Sequence, residues 1–322
     1  MAARIKIGNT EQALRRIREA DLARRQGATT ILSPTAVQGT TSPARVLMTT
    51  IDGVARPLTS DDLARFRARI AEVGTNLRAG ITAREAIAMS RPIDLKRARD
   101  EIRFAVPVLM RGSTLRLATD SGPASKVARH LVEVDFPSFT AAVARPSTPQ
   151  QAAAWLVAET PIRWDCSCEA HTFWFRYLAS VGGWAYGRKE TGFPKIRNPQ
   201  LAGACCKHSV RALDSLSSLL VRRRIAEAIE GSRKQLDRLG TPKVITVRAT
   251  QAQADTATER KTSRRIVVHP SQRGAKLPAP ASHADIFKAL QAYTGRNDAS
   301  SAAIARALHA LLNQTRQQGI QQ

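Results

Sequence analysis

The chain has 322 residues, enough for two modest domains with connecting segments, and its 43% hydrophobic content supports genuine cores rather than wholesale disorder. Fifty Lys and Arg against 26 Asp and Glu give a formal charge of +24, which predicts attraction to polyanions such as nucleic-acid phosphates or an acidic protein surface. The most apolar run, Phe104–Met110, is far short of the roughly 20 residues of a spanning helix, so no membrane partner is expected.

The N-terminal segment lacks an apolar h-region, and Glu11, Glu19 and Asp21 argue against a transit peptide. Asn9 or Thr10 caps a helix to about Gln26, with Leu14, Ile17 and Leu22 on one side. Residues 27–58 read as loop with a short strand at Arg45–Thr50. Thr59-Ser-Asp-Asp62 starts a second helix that ends near Gly74, and further helices are expected over Thr82–Ser90 and Asp94–Arg103. Phe104–Met110, Ser113–Ala118 and Val127–Phe136 then read as strands between Gly and Ser turns. The fold class is therefore α+β, with helices preceding a small antiparallel sheet. His130, Glu133 and Asp135 in the last strand do not converge as metal ligands, since His130 and Glu133 have opposite parity, and are expected to be solvated rather than to form a metal site.

A helix with Pro149 at N1 runs from Thr148 to about Glu159, and Thr160-Pro161 delivers the chain into Asp165-Cys-Ser-Cys168. Ile162, Trp164, Cys166 and Cys168 share one parity, so a strand here sets two sulfurs on one face while making a disulfide between them strained. The other two cysteines stand in Ala204-Cys-Cys-Lys-His208, immediately before the strongest helical pattern in the chain, Val210 to about Leu239. All four cysteines thus gather in two clusters, which in a reducing compartment points to metal ligands rather than disulfides. Cys166, Cys168, Cys206 and His208 form a closed tetrahedral set suited to one structural Zn²⁺. Cys205 is the rival to Cys206, and His171 the rival to His208 that is otherwise a polar residue at a helix start.

The order C-x-C, spacer, C-x-H resembles the SWIM-type zinc finger over about Pro161–Leu220, with Cys166, Cys168, Cys206 and His208 at the family's ligand positions. The resemblance implies a strand-hairpin-plus-helix unit around one zinc that binds DNA or protein. It favours Cys206 over Cys205, which is then a small core residue. The long spacer and the extra thiol depart from the motif. The phrases CSCEAHTFWFRYL and FPKIRNPQLAGACCKH are similar to a group of tailed-bacteriophage proteins carrying a SWIM-like motif. That likeness implies a virion structural or assembly component, found in the particle or the bacterial host cytoplasm. Its partners would be other virion subunits or packaged DNA within a larger homo- or hetero-oligomeric assembly.

Of 8 Phe, 4 Trp and 3 Tyr, more than half fall between Trp164 and Phe193. Such density suits a small metal-centred core. Arg176, Arg188, Lys189, Lys195, Arg197, Lys207 and Arg211 are interleaved with or follow these rings, and are the candidate nucleic-acid or partner contacts. Asn198-Pro199 signals a turn, and Gly203 permits a positive φ beside the metal. No P-loop, dinucleotide fingerprint, nucleophile elbow or His-Glu-x-x-His is present, and neither an enzyme nor a small-molecule substrate is expected. The expected division is an α+β domain over 1–147, the zinc unit with its long helix over 148–240, a basic linker or arm over 241–283, and short helices within 284–322 at Ala284–Tyr293 and Ser300–Gln317.

Overall fold

In a computed structural model, which describes residues 10–26, 48–76, 80–122, 125, 127–239 and 244–259, a five-stranded antiparallel sheet carries the architecture. The chain opens with helix α1 (Thr10–Gln26), a two-stranded ribbon of β1 (Met48–Thr49) and β2 (Arg56–Pro57), and helices α2 (Ser60–Asn76), α3 (Ala83–Ala88) and α4 (Pro92–Glu101). Next come β3 (Ala105–Arg111), β4 (Thr114–Asp120) and β5 (Arg129–Asp135), then α5 (Phe139–Ala144), α6 (Pro149–Glu159) and β6 (Arg163–Cys166). A π-helical turn, His171–Phe175, leads into α7 (Arg176–Val181); α8 (Lys207–Ser215), α9 (Leu219–Leu239), β7 (Thr246–Arg248) and α10 (Gln251–Glu259) follow.

The helix starts follow the capping chemistry legible in the sequence. Thr82 with Glu85 and Thr148 with Gln151 form reciprocal capping boxes, each satisfying two backbone donors. Thr59 and Asp62 exchange the same pair of bonds at the start of α2, Asp62 accepting the Thr59 amide at 2.9 Å and donating its own amide to Thr59 Oγ1 at 3.3 Å. The buried Asp62 carboxylate also accepts from Arg56 Nη1 at 2.7 Å. The Arg56 guanidinium holds the Asp62 carboxyl well below the usual carboxylate range. This lowered pKa stabilises the fold above the unfolded value near 4, and the gain is lost as pH falls towards the folded value. Arg56→Ala leaves the carboxylate buried with less than its full set of donors. We expect the variant to unfold at a lower urea concentration than the wild-type chain at neutral pH, with a distinctly smaller difference below pH 3.

The strand order is β6-β5-β4-β3-β7. Gly112, at φ 54°, turns β3 into β4. Pro107 sits in β3 where the register with β4 shifts, between Pro107 and Leu109, so the missing donor falls at a bulge. Alternation sends Leu115, Leu117, Val132, Val134, Trp164 and Cys166 into the main core under α6, α8 and α9, while Val106, Val108, Ala118 and Leu131 form a smaller cluster with Leu14 and Ala254 on the other face. Both faces are covered, and His130, Glu133 and Asp135 are buried, not solvated as their polarity implied.

Three further expectations are corrected. The limit drawn at residue 147 runs through one sheet, because β6 pairs with β5 over Val132↔Cys166 to Asp135↔Arg163, and the described residues belong to one compact unit. The helix expected from Val210 to about Leu239 with an interruption at Gly231 instead runs straight through Gly231 and breaks earlier, between Ser215 and Leu219, into two helices. Ser215 and Ser217 hydroxyls donate to the carbonyls of Ala212 and Asp214, and the Ser218 hydroxyl accepts from the Val221 amide, so the serines end one helix and cap the next. Part of the basic arm, 244–259, is ordered structure: β7 pairs with β3, and α10 buries Ala254. The approach to β7 passes close to α9 because Gly231 has no side chain; a Cβ there would stand 3.3 Å from Ile245. The helices expected at Ala284–Tyr293 and Ser300–Gln317 lie outside the described residues.

Candidate metal centre

Each part of the centre is placed by a separate element. β6 delivers Cys166 at its end, on the inner parity with Trp164, and pairs it with Val132 of β5. Two residues on, Cys168 stands at the mouth of the π-helical turn, where its Sγ accepts the His171 amide at 3.3 Å. Cys206 is the N-cap of α8, its Sγ accepting the Ser209 amide at 3.4 Å, and His208 lies in the first turn of that helix. The loop that returns the chain from α7 to α8 is fixed by Asn198, whose side chain donates to Trp174 O and Ala202 O and accepts from the Ala202 amide. Gly203 follows at φ 76°, with a backbone so close to Arg91 that a Cβ would approach its side chain to 2.7 Å. Any other residue would be strained at this φ and would crowd Arg91 at the start of α4.

The ligating atoms of Cys166, Cys168, Cys206 and His208 all lie within 4.8 Å of one another, and all four residues are buried. A tetrahedron with bonds of about 2.3 Å has edges of about 3.8 Å, so the group reaches metal-binding geometry by small side-chain movements. Neither ring nitrogen of His208 makes a hydrogen bond of acceptable geometry, a costly state for a buried imidazole unless a cation takes one lone pair. Burial raises the Cys166 thiol well above its ordinary range. Cys206 goes the other way: burial would raise it, but Cys166, Cys168 and His208 around it hold it well below. Negative charge therefore concentrates at the helix N-terminus, where the dipole favours it.

Cys205 is buried as well, but its thiol turns to Ala86 O at 3.7 Å, outside the cluster. Cys205→Ala removes only a small core group. We expect it to retain the full metal complement and to lose about 1 kcal/mol, read by metal analysis and thermal unfolding. His171 is also outside the cluster; it opens the π-helical turn, at the helix start expected of it, and is fully buried with its Nε2 3.1 Å from Asp165 Oδ1. The neighbour that sequence reasoning missed is His130. Its ring centroid lies 4.2 Å from that of His208, and its Nδ1 is 3.4 Å from Ser167 Oγ. Burial and the adjacent His208 push His130 down to about 4, so it is neutral at pH 7. Its inner parity with Val132 and Val134 was the available signal, once β5 is placed beside β6.

The seven candidate cations divide. Arg176 is buried on Asp165, with Nη2 2.9 Å from Oδ1; Lys195 is buried, donating to Met48 O; and Lys207 pairs with Glu101. Arg97 and then Lys207 hold Glu101 down to about 2. Arg211 is fully inside, its guanidinium donating to Ile102 O at 2.9 Å and to Ala98 O at 3.2 Å. These four are spent on internal partners, so they are not free to meet phosphate. Arg188 is half-buried, and Lys189 and Arg197 are exposed. Of the rings from Trp164 to Phe193, Trp164, Phe175, Trp184 and Phe193 are core, with Trp164 and Trp184 stacked at 6.0 Å and Phe193 4.2 Å from Phe66, while Phe173, Trp174, Tyr177 and Tyr186 are half-buried.

A site whose four positions are all filled by protein leaves no coordination open to water, which suits a structural ion rather than a catalytic one. Comparison with known proteins finds no matching family model, no similar curated protein and no similar solved structure.

Proposed function

We propose that the chain is a non-enzymatic structural or assembly component of a tailed-phage particle, held together by one structural zinc at Cys166, Cys168, Cys206 and His208. The observation that carries the metal is the buried three-sulfur, one-nitrogen cluster with an otherwise unbonded His208. Three thiolates and an imidazole are a borderline-soft set that favours zinc over the hard cations, and an imidazole in the set disfavours an iron–sulfur cluster. The SWIM-like ligand order and the phage-like phrases around it support the family and the setting. A formal charge of +24 supports partners that are polyanionic: packaged DNA or acidic faces of other virion subunits.

Fractionation tests the assignment. The chain is expected to remain with gradient-purified particles. A chain found only free in the lysate, binding duplex DNA by itself with affinity that falls steeply as salt rises, would instead be a DNA-binding regulator.

A further inference from the structure

On the sheet face away from the metal, α1 packs Leu14 against β3 and β4 but leaves beside that contact a groove of about 1080 Å³. Arg15 and Arg18 of α1 line one side, and Arg111 and Arg116 of the sheet line the other, with Ser113 and Thr114 at the hairpin between them. Three carboxylates share the lining, and they do not balance the cations evenly. The buried Glu133 carboxylate takes two guanidiniums, Arg18 at 2.5 Å and Arg116 at 3.0 Å, leaving one positive charge uncompensated there. Glu11 reaches Arg111 only at 3.9 Å, and neither Arg15 nor Glu19 makes an ion pair among the described residues, so four guanidiniums face three carboxylates in the lining. Arg116 Nη1 is buried without a hydrogen-bond partner, a donor whose desolvation is compensated by nothing the protein supplies.

We propose that this groove is a phosphoanion site, taking either the backbone of a single nucleic-acid strand or a free polyphosphate-bearing ligand. Guanidiniums on two opposed walls suit bidentate contacts to successive phosphate groups, and the hairpin hydroxyl of Thr114, shared with Tyr186 at 3.0 Å, adds a donor at the same end. The volume lies just above the upper end of what small-ligand sites show, which leaves room for more than one phosphate group. The inference rests on the polyanion half of the proposed function and places it on the sheet face, away from the cations between the zinc ligands.

The test uses the full zinc-loaded chain, a fluorescein-labelled oligo-dT followed by anisotropy, and tripolyphosphate as competitor. Arg15→Gln with Arg111→Gln removes two charges that hold no core together. This double variant is expected to bind the oligonucleotide roughly tenfold more weakly, with a salt slope shallower by about 1.4, at unchanged melting temperature and zinc content. Arg67→Gln with Arg84→Gln, two exposed cations outside the lining, is expected to change binding by no more than about twofold. Displacement by tripolyphosphate near its own binding concentration identifies a free phosphoanion as occupant; weak displacement identifies the strand. A wild-type chain that binds the oligonucleotide while the Arg15, Arg111 variant binds equally well, or the control pair loses as much, overturns the groove and leaves the polyanion reading standing. A wild-type chain that binds neither probe overturns both.

Discussion

Cys166→Ser is expected to abolish metal binding and, with it, cooperative unfolding of the segment from β6 to α8. The ligands come from two stretches 40 residues apart, joined through a long loop, and the centre is what fastens the N-terminus of α8 to the end of β6. Binding free energies of structural zinc are of order 10 kcal/mol, as large as the total stability of an ordinary domain, so losing one sulfur removes more than the remaining contacts supply. β6 keeps its pairing with β5, and the sheet itself persists. The expected result is therefore a chain with residual sheet signal, no bound metal and no sharp melting transition. His208→Ala should behave alike. A Cys166→Ser chain that melts sharply at the wild-type temperature would show that packing alone holds this region.

Arg211→Ala is the second large effect, and it separates the cations that hold the fold from those that face solvent. Arg211 reaches from α8 to the C-terminal turn of α4, where the last carbonyls of a helix have no partner of their own. Its removal leaves those carbonyls buried and opens a cavity the size of a large side chain in the layer that carries Cys206 and His208. A cost of about 3–5 kcal/mol is expected, close to that of truncating a buried large residue or breaking a buried charged contact. Lys189→Ala and Arg197→Ala, both at exposed positions, are expected to stay within about 0.5 kcal/mol. Chemical denaturation of the three variants decides this: equal, small losses would mean that the Arg211 contacts contribute nothing net.

Much of the fold was legible because its signals are local. Capping boxes at Thr82 and Thr148, Pro149 at N1 and the alternation in β3 to β5 each specify an element within a few residues. The cluster that could hold a metal was legible for the same reason, since C-x-C and C-x-H are short patterns, but only Cys166 lies on the strand; Cys168 stands past its end, at the turn that follows. Pairings distant in sequence were not. Nothing near Thr246 says that it joins β3, more than 130 residues earlier, so 244–259 read as a basic arm. Nothing near Glu133 announces Arg18 and Arg116, so a buried ion-paired cluster read as a wet face. Arg211 misled similarly, since an arginine among aromatics looks the same in a sequence whether it caps a distant helix or meets a phosphate. The Ser215–Ser218 break was locally written, in serines that satisfy the backbone themselves, but the leucine periodicity across it masked the stop.

The central claim is that one zinc is held by three sulfurs and one imidazole at the junction of β6 and α8. X-ray absorption at the zinc edge, with elemental analysis of the wild-type chain purified without chelator, tests it most directly. The account predicts one zinc per chain, three sulfur scatterers at about 2.3 Å and one nitrogen at about 2.0 Å. A folded wild-type chain containing no zinc, or a zinc shell of oxygen and nitrogen alone, would contradict it.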